Sequence, residues 1–246
     1  MKKNYLCWLL LLIFLSGCHN ISAEIIVRGT TVVETGSSQS AYTLPSPETS
    51  GDVSVEEALF NRRSHRRFED KELSAKQLSQ ILWAAYGITE PIDDNPALRG
   101  GLRTSPSAGA LYPLEIYVVV GGVTGIEPGV YKYMPEENKI IRTVDRDIRA
   151  ELTEAALGQS MVKDAPITVV YTAVFQRITQ RYGERGRQRY VYMEIGHSAQ
   201  NVYLQAEALG LGTVAVGAFH DGRVSELLDL PKEEEPLYLM PVGYKD

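Results

Sequence analysis

Three runs of this chain are too apolar to face water on either side: Ile116-Tyr-Val-Val-Val120, Pro166 to Val174, and Gly212 to Phe219. Branched and small apolar residues of this kind predict buried strands. Leu237 to Tyr244 adds a last strand, and Gly129–Tyr133 and Lys139–Thr143 flank the turn residues Pro135–Asn138 as a hairpin. Elsewhere the apolar spacing changes to three and four. Leu78, Ile81, Leu82 and Ala85 predict a helix that starts at a Ser74/Gln77 capping box and stops at Gly87. Val191, Ile195, Ser198, Val202, Ala206 and Leu209 predict a long one ending at Gly210. Shorter helices are expected over Val53–Phe60, capped by Asp52 or Ser54, over Asp145–Leu157, and over Val224–Leu230 before Pro231. Ile88 to Gly101, rich in Pro, Asp, Asn and Gly, reads as a loop. Strands and helices mix without strict β-α alternation, so the expected fold class is α+β: a central, mainly antiparallel sheet flanked by helices.

Between the loop and the first buried strand lies Arg103-Thr-Ser-Pro-Ser-Ala-Gly-Ala-Leu-Tyr-Pro-Leu-Glu115. Small residues, two prolines and a glycine fix an irregular, tight backbone there, and a large flat molecule can lie against such bare backbone.

The N-terminus has a different pattern. Lys2 and Lys3 precede an apolar stretch from Leu6 to Leu15 that is short for a membrane span. It ends in Leu15-Ser16-Gly17-Cys18, which resembles the lipobox of bacterial lipoproteins. The expected organisation is a signal peptide over 1–17, a lipidated Cys18 with a tether over 18–51, and one domain over 52–246. The implied address is the extracytoplasmic or periplasmic face of a membrane, held only through the lipid. The tether is rich in Ser and Thr, and Ile25–Val27 and Thr31–Val33 are its candidates for a docked strand.

Composition narrows the chemistry. The 246 residues are 44% hydrophobic and 23% charged, an ordinary globular balance. The net charge of −6 argues against general nucleic-acid binding. Cys7 and Cys18 are the only cysteines, so the exported part has no thiol for a disulfide, a nucleophile or a thiolate metal site. His19, His65, His197 and His220 lack metal-ligand spacing. Ser160-Met-Val-Lys163 matches S-x-x-K without its S-D-N and K-T-G companions, and Gly210-Leu-Gly212 follows a helix rather than a strand, the wrong order for a dinucleotide fingerprint. Arg177, Arg181, Arg185, Arg187 and Arg189 read as a solvated basic face, and His197 and Glu194 as satisfied polar groups. Arg62, Ser64 and Arg66 stand at alternate positions, where an extended segment projects two guanidiniums and a hydroxyl to one side, a donor set suited to phosphate.

Seven runs, in order, resemble the nitroreductase superfamily of flavoproteins, and most closely its SagB-type dehydrogenase branch. They are Arg62–Phe68, Leu78–Ile88, Arg103–Tyr117, Arg181–Arg185, Glu194–Leu204, Ala208–Phe219 and Pro241–Tyr244. The resemblance implies an FMN-binding sandwich, usually a homodimer with FMN held at the subunit interface. Arg62, Ser64 and Arg66 match its phosphate- and ribityl-binding motif. Pro106, Ser107, Ala108 and Gly109 match the loop along the isoalloxazine, and Gly217 and Ala218 the strand end whose amide approaches flavin N5. Gln200 and Asn201 match positions on the dimer-facing helix, and Tyr112 is the candidate proton donor on the substrate side. Relatives commonly place a late Lys or Arg on the phosphate; here Lys245 is the corresponding candidate. The implied activity is transfer of hydride or electron pairs between a small organic molecule and FMN. SagB-type members oxidise azoline rings in peptides, and others reduce nitroaromatics or quinones with NAD(P)H. A flavin- or ligand-binding lipoprotein without turnover is the alternative.

Overall fold

The computed structural model describes residues 40–246. The lipobox, Cys18 and the two candidate strands at 25–27 and 31–33 lie outside the described residues. Elements run β1 (Ala41–Thr43), α1 (Val55–Asn61), α2 (Ala75–Tyr86), β2 (Ile88–Pro91), β3 (Gly101–Arg103), β4 (Leu114–Val120), β5 (Gly129–Met134), β6 (Lys139–Val144), α3 (Arg149–Ala155), α4 (Met161–Asp164), β7 (Ile167–Ala173), α5 (Phe175–Arg185), α6 (Val191–Ala208), β8 (Leu211–Thr213), α7 (Asp221–Leu227) and β9 (Glu235–Tyr244).

Seven strands form one sheet in the order β1-β6-β5-β4-β7-β9-β8, and every pairing is antiparallel. The fold is therefore α+β, as the patterning implies. β4 and β7 are buried on both faces because side chains alternate across the sheet. Ile116, Val118 and Val120 point into one core with Leu78, Ile81, Leu82, Ile195, Ala199 and Val202 of α2 and α6. Tyr117 and Val119 point into the other, beside Ile148, Leu152, Val224 and Leu227 around α3 and α7. A sheet covered on both sides is what continuous apolar strands require.

The capping box holds: Ser74 Oγ accepts from Gln77 N–H and Gln77 Oε1 from Ser74 N–H. Gly87 ends α2 with an ordinary negative φ; a Cβ there would lie 2.2 Å from Trp83 Cδ1, so close approach demands the glycine. Three expectations change. The end of the expected tether joins the sheet, since β1 pairs with β6 and Leu44 is buried, so the domain already includes Ala41. Residues 88–101 are not plain loop: β2 and β3 form a hairpin. The strand expected over Gly212–Phe219 stops at Thr213, after which only Val216 bridges Leu239. The basic run from Arg177 is helical, through α5 and a wider turn over Gly186–Tyr190 into α6. Its i, i+4 spacing of Arg177, Arg181 and Arg185 is the sequence signal for that helix.

Candidate functional site

The arginine segment is extended, as alternate projection requires. Ser64 forms a parallel bridge to Thr213 of β8, and His65 N–H donates to Thr213 O at 2.9 Å. Two of the three expected residues meet at Tyr203 of α6. The Arg62 guanidinium lies 5.2 Å from the centre of the Tyr203 ring, and the hydroxyls of Ser64 and Tyr203 are hydrogen-bonded at 3.1 Å. That same hydroxyl accepts from Ala215 N–H at 2.9 Å. Tyr203 thus draws Ala215 off the strand ladder, which explains why β8 is short, and joins the arginine segment to the turn carrying Gly217 and Ala218. Both residues are exposed, and among the described residues no hydrogen bond ends at either N–H. Arg66 is exposed and lines a cavity of about 350 Å³ with Ser64, His65, Arg67 and Asp246. Lys245 stands close by, pairing with Phe68 across a β-bridge, but its Nζ donates to Glu207 Oε1 at 2.8 Å. Burial and the Lys245 charge hold the His65 imidazole below its ordinary value, so it is neutral near pH 7.

The Pro106–Gly109 loop lies elsewhere along α6, and no described contact joins it to the arginine segment. Thr104 O accepts from Asn201 Nδ2 at 3.1 Å, whereas Gln200, half buried next to it, makes none of the described hydrogen bonds. Pro106 and Gly109 are exposed and Ala108 half buried, a strip of small side chains. Gly109 has φ +65, and a Cβ would sit 2.8 Å from the Tyr182 hydroxyl of α5. The Ser107 hydroxyl turns away from the strip and donates to Glu194 Oε2 at 2.6 Å.

Tyr112 departs most from expectation. It is 3% exposed rather than on the substrate side. Its ring packs edge-on to Tyr86, centroids 6.1 Å apart, and both rings flank the Arg103 guanidinium at 4.8 Å. Burial pushes the Tyr112 phenol up. The reason is its carbonyl: with φ at +46, Tyr112 O accepts from Arg99 Nη1 at 2.8 Å and Arg177 Nη1 at 3.2 Å, and these anchors turn the ring inward. Both arginines also bind Glu115 Oε1, at 2.7 and 2.6 Å, and Lys132 approaches Oε2 at 3.4 Å. Burial raises the Glu115 carboxyl, but Arg99, Lys132 and Arg177 outweigh it and hold it below the ordinary value. Arg177 therefore anchors the core loop, and Arg187, over the Phe175 ring at 4.0 Å and on Glu235 at 2.9 Å, is also engaged, so the basic run is not simply a solvated face.

Tyr203, Tyr86 and Arg103 have roles that motif reading did not assign, whereas Glu194, read as a satisfied polar group, is one: it is buried and accepts from two hydroxyls. Glu194, Ser198 and Asn201 recur at four and three residues along the inward side of α6, a polar stripe visible in the sequence, of which Glu194 and Ser198 are buried. Tyr203 had no such signal.

A guanidinium-hydroxyl segment, two exposed amides and a glycine loop are thus gathered around one helix that covers an antiparallel sheet. Among the described residues there is no cluster of metal ligands, and no helix is long and apolar enough to cross a membrane. Residues 59–244 match the family described as the nitroreductase family. A Methanocaldococcus jannaschii protein named as a nitroreductase is 50% identical over 79% of this chain and 92% of its own length. The chain therefore belongs to the nitroreductase family, a class of oxidoreductases. A crystal structure of a Ralstonia eutropha protein, also named as a nitroreductase, superposes with a TM-score of 0.71 at 30% identity, covering 86% of this chain and 92% of that one. More distant relatives are the trifolitoxin-processing protein TfxB of Rhizobium leguminosarum, 37% identical over 57% of this chain and 39% of its own length, and the NADPH-flavin oxidoreductase of Vibrio harveyi, 32% identical over 44% and 48%.

Proposed function

We propose that this protein is an FMN-dependent oxidoreductase, moving hydride or electron pairs between a small organic substrate and the flavin. It works as a homodimer tethered by a lipid on Cys18 at the extracytoplasmic face of a bacterial membrane. The observation that carries the flavin assignment is the junction at Tyr203, which joins Arg62 and Ser64 to Ala215, two residues before the exposed Gly217 and Ala218. The donor set fits FMN. Arg62, Ser64 and Arg66 offer charge-assisted bonds for a phosphate, and backbone N–H groups without partners suit a ring nitrogen acceptor. FMN supplies the hydride chemistry when bound.

The chain's own residues bind and orient. The arginine segment holds the phosphate end, the Gly217 and Ala218 amides donate toward the ring, and Pro106 to Gly109 offer a flat apolar wall that excludes water. No described contact joins that wall to the arginine segment, which supports a reading in which a second copy supplies it as the role of the dimer. Similarity to the Vibrio flavin oxidoreductase supports the cofactor, and similarity to TfxB supports a SagB-type substrate derived from a peptide.

Purified protein without its first 17 residues, supplied with FMN, is expected to carry one flavin per chain and to elute as a dimer. Tyr203→Phe removes the hydroxyl shared by Ser64 and Ala215; the two bonds, of about 0.5–1.5 kcal/mol each, set an upper bound of roughly 150-fold on the expected weakening of FMN binding. A colourless protein, or wild-type affinity in Tyr203→Phe, refutes the assignment. Steady-state assays with NAD(P)H and a nitroaromatic, and with an azoline peptide, separate reductase from dehydrogenase use.

A further inference from the structure

Glu194 is 2% exposed, on the face of α6 beneath the Arg103–Glu115 segment. Its Oε1 accepts from the Tyr86 hydroxyl at the end of α2, and its Oε2 from the Ser107 hydroxyl at 2.6 Å. Ser107 Oγ in turn accepts from Tyr112 N–H at 3.0 Å. Three linked bonds therefore close a turn in which Gly109, Ala110 and Tyr112 all have positive φ. Ala and Tyr keep such backbone only where their surroundings impose it. Among the described residues, no other side-chain hydrogen bond from the core reaches residues 106–111.

We propose that Glu194 is the positioning residue of the 106–112 loop, and that its ionisation sets how firmly this loop holds a flavin ring. The inference rests on the flavin site proposed above. A carboxylate accepts from both hydroxyls at once; a protonated carboxyl must donate through one oxygen. Donation to Ser107 Oγ or to the Tyr86 oxygen leaves that hydroxyl's own hydrogen without its acceptor, at a cost typical of a buried unmet donor. The loop is therefore tied most firmly when Glu194 is charged.

The groups around Glu194 put this change within reach of neutral pH. From β3 and the segment before it, Arg103 and Arg99 favour the charged form, as do the hydrogen bonds from Ser107 and Tyr86. Burial opposes all of them and is the largest effect, so the carboxyl is pushed up to about 7. The phenols of Tyr86 and Tyr112 face it and stay protonated, both held above their ordinary values by burial. On α6 itself Ser198, one turn on, is taken up by Ala85 O and by the Tyr171 hydroxyl of β7, and His197 is exposed.

The test uses protein without its first 17 residues as wild type, Glu194→Gln, Ser107→Ala and the double variant. Glutamine has nearly the same shape, and it reproduces the protonated carboxyl in accepting through one atom and donating through the other. Without flavin, ¹³C-glutamate NMR is expected to show one carboxyl titrating near 7, absent in Glu194→Gln and moved to higher pH in Ser107→Ala, which loses a donor to the charged form. With FMN, fluorescence quenching reads the dissociation constant from about pH 5.5 to about pH 8.5, across the Glu194 transition. Wild type is expected to gain at least about fivefold more affinity over that range than Glu194→Gln. Ionisation of the FMN phosphate is common to all four proteins and cancels in the ratio. At the alkaline end the double variant is expected to bind no more weakly than either single one. Parallel pH curves for wild type and Glu194→Gln, or additive losses in the double variant, overturn the proposal. An unmoved Glu194 titration in Ser107→Ala overturns the coupling itself. Absence of FMN binding in wild type, with the NMR shift intact, overturns instead the flavin site and with it the loop's ligand.

Discussion

Glu115→Gln removes one charge from the most densely paired carboxylate among the described residues and keeps its shape. The carboxylate side chain is 8% exposed, with Arg99 and Arg177 at 2.7 and 2.6 Å from one oxygen and Lys132 at 3.4 Å from the other. Removing one partner of a fully buried ion pair costs about 3–5 kcal/mol, because the remaining charge is stranded. Here the stranded charges are only partly buried, with side-chain exposures of 30%, 28% and 25%, so water recovers part of the loss. Lys132 also keeps Glu234 at 2.7 Å, and the two arginines keep the Tyr112 carbonyl. These reductions bring the expected loss to about 2–3 kcal/mol, or roughly 4–12 °C in Tm for a domain of this size. Urea unfolding followed by circular dichroism is the assay, and an unchanged slope with a lower midpoint assigns the effect to the folded state. The carboxyl is held below its ordinary 4.5, so its contribution is fully present above about pH 4.5 and disappears as pH falls through the lower folded value. The gap between wild type and variant must therefore close in acid. A variant within about 0.5 kcal/mol of wild type at pH 7 would show that desolvation of Glu115 cancels its three partners, and a gap that persists in acid would show that the loss does not come from its charge.

Glu194 has the opposite sign. Its folded value of about 7 lies above the ordinary 4.5, so its stabilising contribution is complete below about pH 4.5 and is lost as pH rises to 7 and beyond; Glu194→Gln should flatten that part of the stability profile, and a variant that keeps the wild-type slope would contradict it. Arg66→Ala is expected to weaken FMN binding by about 1.5–3 kcal/mol if its guanidinium meets the phosphate, read by fluorescence titration; unchanged affinity moves the phosphate elsewhere. Cys18→Ala is expected to abolish metabolic labelling by radioactive palmitate in a bacterial host and to release the protein from the membrane fraction, whereas persistent labelling excludes Cys18 as the attachment point.

Much of the fold was legible because it rests on local periodicity. The continuous apolar run from Ile116 to Val120, the three- and four-residue stripe from Val191 to Ala206, and the Ser74/Gln77 box each specify an element from neighbours in sequence. Errors fell where a distant partner decides. Ala41–Thr43 is a strand because β6 offers it an edge, and Gly212–Phe219 is cut short because Tyr203, on another element, takes the Ala215 amide. The site divides in the same way. Arg62 and Ser64 were visible by spacing and chemistry, and the structure brings them together on an aromatic ring that no spacing rule marks. Tyr112 looked available as a proton donor, but a positive φ and two arginines on its carbonyl turn its ring into the core.

By itself the sequence determined which segments are buried, where two principal helices begin or end, and that the Arg103–Glu115 stretch is tight and short of side chains. Those properties depend on residues a few positions apart, whose geometry the backbone fixes. Tertiary structure alone decided which side of that stretch faces out. Ser107 and Tyr112 are anchored inward by Glu194, 87 residues away from Ser107, and by Arg177, 65 residues away from Tyr112. The exposed strip of Pro106 to Gly109 is what remains when those distant polar groups have been satisfied. A buried charge or hydroxyl takes its partner from whatever the fold brings near, and its burial is therefore settled only when the whole sheet and its helices are assembled.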